Sequence, residues 1–329
     1  MFDAVFPTRR NPSPTTQIPV VDFSQSEEVV VETWRKACLD HGFLYVKNHG
    51  IPAEVIDAFM EKQRQFFALP KEAKESIILD GNNRGYTPFL ESTLDPQQSK
   101  RPDTHEGLYF GREVAPDSEE GKLPLHGPNQ WPAEELLPGY RAATWAYYQA
   151  LTELNRRTLP VLALSLGLER RHFDPLFERA IASLRPLHYS AEAAAPEQGQ
   201  FSAGAHCDYG CLTFLLTDGT PGLQVYLGDK WHDVPYIPGT LVINLGDMLE
   251  RWTGGRYRST MHRVVNTSGR ERFSAAFFVE PNFETVVEVF PQEGGTKYEP
   301  IQCGEYILEK YRTTYSVKTA AAAEQAIAA

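Results

Sequence analysis

The sequence predicts an α+β fold in which helices come first and short β-strands follow. Helical periodicity dominates as far as residue 167, whereas short apolar runs separated by Gly, Pro, Asn and Asp follow residue 184. So many short strands in succession indicate a sandwich, jelly roll or barrel rather than a parallel sheet. No linker separates the two halves, so we expect the helices to brace one β core.

The N-terminal half is expected to contain an arm, two strands and several helices. Residues 1–17 are rich in Pro, Thr and Arg and are expected to form a flexible arm. IPVVDFS predicts a strand, after which Val30 and Trp34 recur at helical spacing, and FLYVKNHG predicts the next strand. A second helix is predicted from Pro52 onward, and a long amphipathic helix from Pro138 to Gly167.

Residues 80–135 differ in composition from their surroundings. Gly, Pro, Asn and Asp accumulate there, aromatic residues interrupt the polar run, and no clear period remains. A stretch of this length without regular structure predicts a lid or a binding loop. The candidate strands beyond it are SLRPLHYS, the His206 stretch, GLQVYLG, KWHDVPY, GTLVINLG, YRSTMHRVVN, RFSAAFFVE and ETVVEVF, and the last predicted helix is CGEYILEKYRTTY.

Composition narrows the classes of partner and compartment. The formal net charge of −11 disfavours nucleic acid and anionic membrane surfaces as partners, although a local arginine cluster can still bind a small anion. No apolar run has the length of a membrane span, and the N-terminus lacks the apolar core of a signal peptide. Four scattered cysteines do not suggest a disulfide framework, so a reducing, cytoplasmic setting is expected.

Two histidines and one carboxylate in the strand-rich half are candidate metal ligands. His206 and Asp208 lie two residues apart in a predicted strand and therefore point to the same face, while Cys207 points to the other. His262 lies in a second apolar strand that would otherwise bury an unexplained imidazole. This donor set, with open positions on the metal, is typical of mononuclear non-haem Fe(II) oxygenases. Cys207 and Cys211 have no second pair with which to build a tetrahedral zinc site, and packing is expected for both.

Arg272 and Ser274 form a candidate anion site on a third strand. The two residues share a strand face, and a guanidinium fork beside a hydroxyl suits one end of a dicarboxylate. Taken singly they would be interpreted as a surface arginine and a small core serine. Together with the three candidate ligands they predict a metal site with a carboxylate anchor.

These segments resemble the Fe(II)/2-oxoglutarate-dependent dioxygenases of the isopenicillin N synthase-like superfamily. HCDYGCLTFL is similar to the family's H-x-D segment, RSTMHRVVN to the segment of its distal histidine, and RFSAAFFVEPN to its R-x-S clamp. IPVVDFS, GFLYVKNHGIP and GLQV also resemble family signatures, so the likeness covers about residues 18–315. The family often has Thr between the first two ligands, where this chain has Cys207.

The resemblance implies a double-stranded β-helix (jelly roll) core with flanking helices. It implies one domain at 18–318, divided into an N-terminal helical part (18–180), a jelly-roll core (about 181–295) and a C-terminal helix (303–315), with an Ala-rich tail at 319–329. His206, Asp208 and His262 would be the iron ligands. Arg272 and Ser274 would hold the distal carboxylate of 2-oxoglutarate, with Tyr189 as a further hydrogen-bond donor.

The implied activity is oxidation of a small metabolite with Fe(II), 2-oxoglutarate and O2, releasing succinate and CO2. The outcome on the substrate would be hydroxylation, desaturation or oxidative cyclisation, as part of biosynthesis. Three enzymatic alternatives stay open at this point: an iron oxidase that does not use 2-oxoglutarate, an ethylene-forming enzyme and a zinc hydrolase. A non-enzymatic jelly-roll protein with a structural metal is the fourth alternative.

Five residues are candidates for substrate binding. Arg84 and Tyr86 lie in NRGYTP, which resembles a segment lining the substrate pocket in relatives, and Arg185 lies on a core strand beside Tyr189. Tyr209 and Phe278 adjoin the predicted ligand and clamp segments and could stack on the substrate. Two arginines directed into an apolar pocket predict a substrate that carries a carboxylate. For the assembly state we expect a monomer or a weak homodimer.

Overall fold

The computed structural model describes residues 17–89, 94, 102–192, 194–290 and 298–314. The predicted Ala-rich tail and all but the last residue of the predicted arm lie outside these ranges. The helices are α1 Glu27–Asp40, α2 Ala53–Phe67, α3 Lys71–Glu75, α4 Tyr140–Ser165, α5 Asp247–Trp252 and α6 Cys303–Thr314. The strands are β1 Val20–Asp22, β2 Phe43–Lys47, β3 Gly85–Thr87, β4 His105–Gly111, β5 Ile181–Tyr189, β6 Ala203–His206, β7 Leu212–Thr217, β8 Leu223–Leu227, β9 Lys230–Asp233, β10 Thr240–Leu245, β11 His262–Val264, β12 Arg272–Glu280, β13 Val286–Val287 and β14 Ile301–Gln302.

Two sheets form the jelly-roll core. The major sheet has eight strands in the order β1-β2-β10-β7-β12-β5-β4-β3, and the minor sheet has four in the order β6-β11-β8-β9. Except for the parallel β1–β2 pair, the pairings within both sheets are antiparallel. The prediction of an α+β fold with a jelly-roll core and flanking helices is confirmed.

The apolar residues divide between two cores. The larger one joins the major sheet to the helices and contains Trp34, Leu162 and Phe277, each with no exposed surface. A smaller core contains side chains from both sheets, such as Phe43 of β2 and Val225 of β8. Because the helices cover one face of the major sheet, its other face is left to pack against the minor sheet and to carry polar side chains.

The prediction of a stretch without regular structure at residues 80–135 is wrong in part. Strands β3 and β4 lie within it and extend the major sheet beyond β5. The sequence of β4, HEGLYFG, lacks the polar–apolar alternation of a half-buried strand, because its polar residues are buried and hydrogen-bonded inside the protein. The Glu106 carboxylate, for example, accepts hydrogen bonds from Lys74 (2.7 Å), from His188 (2.7 Å) and from the Tyr86 hydroxyl.

The junction between α1 and β2 requires a glycine. Gly42 has φ = 64°, and a Cβ there would collide with the carbonyl oxygen of Arg258 and the hydroxyl of Thr260. Its own carbonyl accepts a hydrogen bond from the Leu245 N–H (3.0 Å), so the turn is attached to β10. Positive φ and close approach of backbone both favour glycine at this point.

We expect Gly42→Ala to destabilise the fold more than Gly239→Ala does. Gly239 also has positive φ (72°), but a Cβ there would meet no atom within 4 Å. Both variants carry the conformational cost of a left-handed alanine, about 1–2 kcal/mol, and only Gly42→Ala adds a collision. Urea unfolding of the two variants measures the difference. Equal losses of unfolding free energy would show that the close approach at Gly42 has no energetic weight.

Candidate active site

His206, Asp208 and His262 converge at the edge of the minor sheet. The Nε2 atoms of His206 and His262 each lie 3.7 Å from Asp208 Oδ1, and one potential ligand atom from each residue lies within 4.8 Å of the others. His206 and His262 are direct partners in the β6–β11 pair, so the register of the minor sheet brings the imidazoles together. Their ring centroids are 4.3 Å apart.

Asp208 does not share a strand with His206, contrary to the sequence prediction. Strand β6 ends at His206, and Asp208 lies in the connection that crosses to β7 in the other sheet. The connection is held by α5, since the backbone N–H of Asp247 donates to the Asp208 carbonyl (2.8 Å). Gly246 permits this approach, because a Cβ there would lie against the carbonyls of Asp208 and Gly210.

The major sheet orients the Asp208 carboxylate. The Thr213 hydroxyl and the Asn244 side-chain amide each donate to Asp208 Oδ2 at 2.5 Å, and Thr213 and Asn244 are register partners in the β7–β10 pair. Oδ1 is thereby directed towards the two imidazoles. Burial by itself would raise the pKa of Asp208, but the two imidazoles and these hydrogen bonds outweigh it and lower that pKa.

Each imidazole presents Nε2 to the same point. The His206 Nδ1 lies 2.8 Å from the Gly204 carbonyl, and the His262 Nδ1 lies 3.1 Å from the Thr260 carbonyl. These carbonyls accept a hydrogen bond from Nδ1–H, which leaves the Nε2 lone pair for a metal. Burial, with the charge of His262 next, lowers the pKa of His206 to about 4, so its imidazole is neutral at neutral pH. The donor set therefore fits a divalent iron.

A buried arginine lies on β12. Arg272 is 1 % exposed, its guanidinium stacks 4.8 Å above the Tyr189 ring, and the two residues are register partners. Its Nε and Nη1 have no hydrogen-bond partner among the described residues. The Ser274 hydroxyl lies 3.5 Å from the Tyr189 hydroxyl, so three polar groups face one space. A carboxylate there would satisfy the guanidinium, which makes the arrangement suitable for the far end of 2-oxoglutarate.

A cleft of about 450 Å³, counting space open to solvent, lies next to two of the three candidate ligands. His206 and Asp208 border it, as do Arg185, Tyr209 and Phe278 from the predicted substrate-binding set. Cys207 also borders the cleft, and its sulfur lies 3.9 Å from the Ser259 carbonyl. The other lining residues are Leu94, Tyr109, Glu280, Ile307 and Tyr311.

The other two predicted substrate residues lie away from this cleft. Arg84 is 4 % exposed and donates to the backbone carbonyls of Asn82 (3.0 Å) and Leu125 (2.9 Å), so it fastens its own loop to a neighbouring segment. Tyr86 is buried and donates to the Glu106 carboxylate within the network described for β4. Neither residue borders the cleft, and the expectation that both bind substrate is corrected to a structural role.

Five of the cleft residues were not named by sequence reasoning, among them Leu94 from the stretch expected to form a lid or binding loop. Cys207 was expected to point away from the candidate ligands and to pack, and its place at the cleft corrects that expectation. Tyr109 comes from β4, which was not predicted as a strand. Ile307 and Tyr311 come from α6, and no local sequence signal places that helix beside the candidate metal ligands. Glu280 had a signal, because it continues the alternation Arg272, Ser274, Ala276, Phe278 along one face of β12.

His105 is buried and contacts the guanidinium of Arg185. Its Nδ1 lies 2.8 Å from the Ser202 carbonyl and its Nε2 lies 3.3 Å from Arg185 Nη2. Burial, together with the charge of Arg185, lowers the pKa of His105 to about 3, so the imidazole is neutral and accepts from the guanidinium. The Arg185 guanidinium also lies 4.7 Å from the centre of the Tyr109 ring. These contacts orient Arg185 towards the cleft.

Two imidazoles and one carboxylate on a jelly roll, with a buried arginine nearby, define the class of mononuclear non-haem iron oxygenases. Comparison with known proteins indicates the same class. The sequence model described as non-haem dioxygenase in morphine synthesis N-terminal matches residues 18–134, and that of the 2OG-Fe(II) oxygenase superfamily matches residues 183–281.

Curated and solved relatives match over nearly the whole chain. The 2-oxoglutarate-Fe(II) type oxidoreductase hxnY of Emericella nidulans is 37% identical over 322 residues, covering 91% of each chain. The 2-oxoglutarate-dependent dioxygenase caaD of Aspergillus niger is 35% identical over 317 residues, covering 92% of this chain and 95% of that protein. A full-length Neurospora crassa protein solved in complex with alpha-KG and thymine is 29% identical, with a TM-score of 0.79 over 90% of this chain and 96% of that one.

The chain belongs to the 2OG-Fe(II) oxygenase superfamily. It is an oxidoreductase that uses Fe(II), 2-oxoglutarate and O2, as predicted. This finding favours the 2-oxoglutarate-dependent oxygenase over the 2-oxoglutarate-independent oxidase, the zinc hydrolase and the non-enzymatic binding protein. Among the described helices, none has both the length and the apolar character needed to cross a membrane.

We expect Arg272→Leu to weaken 2-oxoglutarate binding at least tenfold while leaving iron binding intact, because Arg272 is not among the candidate ligands. Loss of a charge-assisted partner typically costs about 1.5–3 kcal/mol. Anaerobic titration of the Fe(II)-loaded protein with 2-oxoglutarate, followed by visible absorbance, gives the affinity. His262→Ala is the complementary variant and should lose iron itself. Unchanged 2-oxoglutarate affinity in Arg272→Leu would contradict the assignment.

We expect the metal-free protein to lose stability on acidification partly through His105. In the unfolded chain an imidazole takes up a proton near pH 6.5, whereas the pKa of His105 in the fold is about 3. Unfolding therefore takes up a proton between these values, and the free energy of unfolding falls as the pH drops through this window. At pH 5 the loss due to His105 is about 2 kcal/mol.

The matched variant for this measurement is His105→Gln, which can still donate to the Ser202 carbonyl and does not titrate. Urea unfolding with a chelator present, at pH 7 and pH 5, should show the larger loss in the unsubstituted protein. His206 is present in both proteins, so its contribution cancels in the comparison. The same pH dependence in both would mean that His105 is not held neutral by the fold.

Proposed function

We propose that this enzyme couples the decarboxylation of 2-oxoglutarate to the oxidation of a small, carboxylate-bearing molecule, with hydroxylation as the default outcome. The observation that supports this most strongly is Arg185, a buried guanidinium that borders the cleft beside His206. Arginine in such a position binds carboxylates through paired, charge-assisted hydrogen bonds. The chain's negative net charge does not oppose this, because the recognition is local.

Each residue of the site has a proposed task. His206, Asp208 and His262 hold the iron, and Arg272, Ser274 and Tyr189 hold the distal carboxylate of 2-oxoglutarate. When bound, iron and 2-oxoglutarate supply the oxidising chemistry with O2, and the protein positions the substrate and excludes water. Arg185 binds the substrate carboxylate, and Tyr209 and Phe278 contact its apolar body.

The names of the relatives support a small molecule as the substrate. Among the solved neighbours, the Neurospora crassa protein holds thymine and JOX2 holds JA, and one curated relative from Dictyostelium discoideum is a 1-aminocyclopropane-1-carboxylate oxidase. Thymine is a neutral ring, and a 1-aminocyclopropane-1-carboxylate oxidase is named for a carboxylic acid. Arg185 favours the acid for this chain. Two arginines were predicted to bind the substrate. Only Arg185 is kept in this proposal, since Arg84 does not border the cleft.

We expect carboxylic acids to stimulate succinate release, and their primary amides to do so much less. Arg185→Gln should raise the KM for a stimulating acid about 10- to 100-fold and should leave the response to the amide unchanged. Arg84→Gln is the matched control, because Arg84 is equally buried but bonded to backbone carbonyls. It should lower the thermal stability and leave KM as it was.

Two outcomes would contradict the carboxylate proposal. One is an equal response to acids and amides in the unsubstituted enzyme. The other is an equal change of KM in the Arg185 and Arg84 variants, which would trace the effect to general loss of folding rather than to substrate recognition.

A further inference from the structure

Glu280 is a buried carboxyl that borders the cleft and has no task in the proposed function. It is the last residue of β12, is 4 % exposed, and lies on the same face of the strand as Arg272, Ser274 and Phe278. In this row, the residues proposed to bind 2-oxoglutarate occupy one end and Glu280 the other. The Glu280 side chain is therefore placed to contact a substrate that binds in the cleft.

The backbone beside Glu280 leaves room for its carboxyl. A Cβ at Gly210 would lie 2.5 Å from Glu280 Oε1, so the carboxyl rests directly on the segment that carries Asp208 and Tyr209. Any larger residue at position 210 would push Glu280 aside. The carboxyl is therefore held close to the iron ligands by packing.

Among the described residues, no other side chain forms a hydrogen bond or an ion pair with the Glu280 carboxyl. The only hydrogen bond to it within those residues comes from its own backbone N–H, and burial raises its pKa to about 8, with the charge of Asp208 as the second cause. The carboxyl thus has no other side-chain partner within the part of the chain that the structure describes, and it borders the cleft, so a group that enters the cleft is the partner it is placed to bind.

We propose that Glu280 is a specificity-determining residue that binds an N–H or O–H group of the substrate, at the end opposite the carboxylate held by Arg185. The orientation of the substrate in this inference rests on the proposed function of Arg185. Phe278 and Tyr209 supply the apolar walls between the two polar ends. The substrate class is thus a hydroxy- or amino-substituted aromatic, heterocyclic or alicyclic acid.

A structural role for Glu280 predicts different contacts. A carboxyl that holds the fold together would accept hydrogen bonds from neighbouring side chains or from backbone groups of another segment, as Glu106 does with Lys74, Tyr86 and His188. Glu280 and Glu106 are buried to a similar degree. Their different surroundings separate a carboxyl that serves the fold from one that faces the cleft.

The first test measures ligand discrimination. Benzoate, phenylacetate and 3-phenylpropanoate, each with its 4-hydroxy counterpart, are titrated into the anaerobic Fe(II)- and 2-oxoglutarate-loaded enzyme by calorimetry. In at least one pair the 4-hydroxy acid should bind about tenfold more tightly, the size of one hydrogen bond to a buried polar group. Glu280→Met should reduce that preference to twofold or less, whereas Glu280→Gln should retain most of it. An unchanged preference in Glu280→Met overturns the proposal.

The second test needs no ligand. Methionine has a similar length and is apolar, so Glu280→Met should raise the thermal unfolding temperature of the unliganded protein or leave it unchanged. A structural carboxyl gives the opposite result, and a fall of several degrees in Glu280→Met with recovery in Glu280→Gln overturns the proposal.

The failure of this inference can be told apart from the failure of the proposed function. The primary amides of the same acids test Arg185 alone, and the hydroxy substituent tests Glu280 alone. If acid and amide bind equally but the hydroxy preference still depends on Glu280, the carboxylate proposal fails and the Glu280 assignment stands. If the acid is preferred through Arg185 and the hydroxy preference is indifferent to Glu280, the reverse holds.

Discussion

The pair of hydrogen bonds from Thr213 and Asn244 to Asp208 is the constraint on which the site depends. The three candidate ligands come from one edge of the minor sheet and from the connection that leaves it, and nothing in that connection has regular structure. Its carboxylate is oriented by two residues of the major sheet that are paired across β7 and β10. The relative positions of the three candidate ligands therefore depend on how the two sheets are placed against each other.

Strands β5 and β12 provide the second organising feature. Their long antiparallel register places Tyr189 beside Arg272, and Arg185 beside Ala276, with Glu280 at the far end. One ladder thus carries the candidate site for 2-oxoglutarate, the proposed anchor for the substrate and the carboxyl at the end of the cleft. Because strands rise about 3.3 Å per residue, the spacing of these groups is set by the backbone.

The sequence was sufficient for the fold class and the family, and it named the three residues that the fold brings together as candidate metal ligands. His206, Asp208 and His262 stand in segments with a strong local pattern, and Arg272 and Ser274 share a strand face that period-two alternation reveals. It was insufficient where the signal is not local. The strand β4 is buried on both faces with its polar groups paired internally, so it lacks the alternation of a half-buried strand. Arg84 was misassigned because a buried arginine bonded to carbonyls and one facing a ligand look alike in sequence.

The last described helix has a consequence for how such an enzyme can diversify. Ile307 and Tyr311 of α6 form part of the cleft wall, yet α6 contributes none of the candidate metal ligands and none of the residues proposed to bind 2-oxoglutarate. Substitutions on this helix can reshape the space for substrate while the redox centre stays as it is. The β5–β12 ladder couples the proposed substrate contacts to the candidate 2-oxoglutarate site, whereas the α6 wall of the cleft is free to change in shape without altering any candidate ligand.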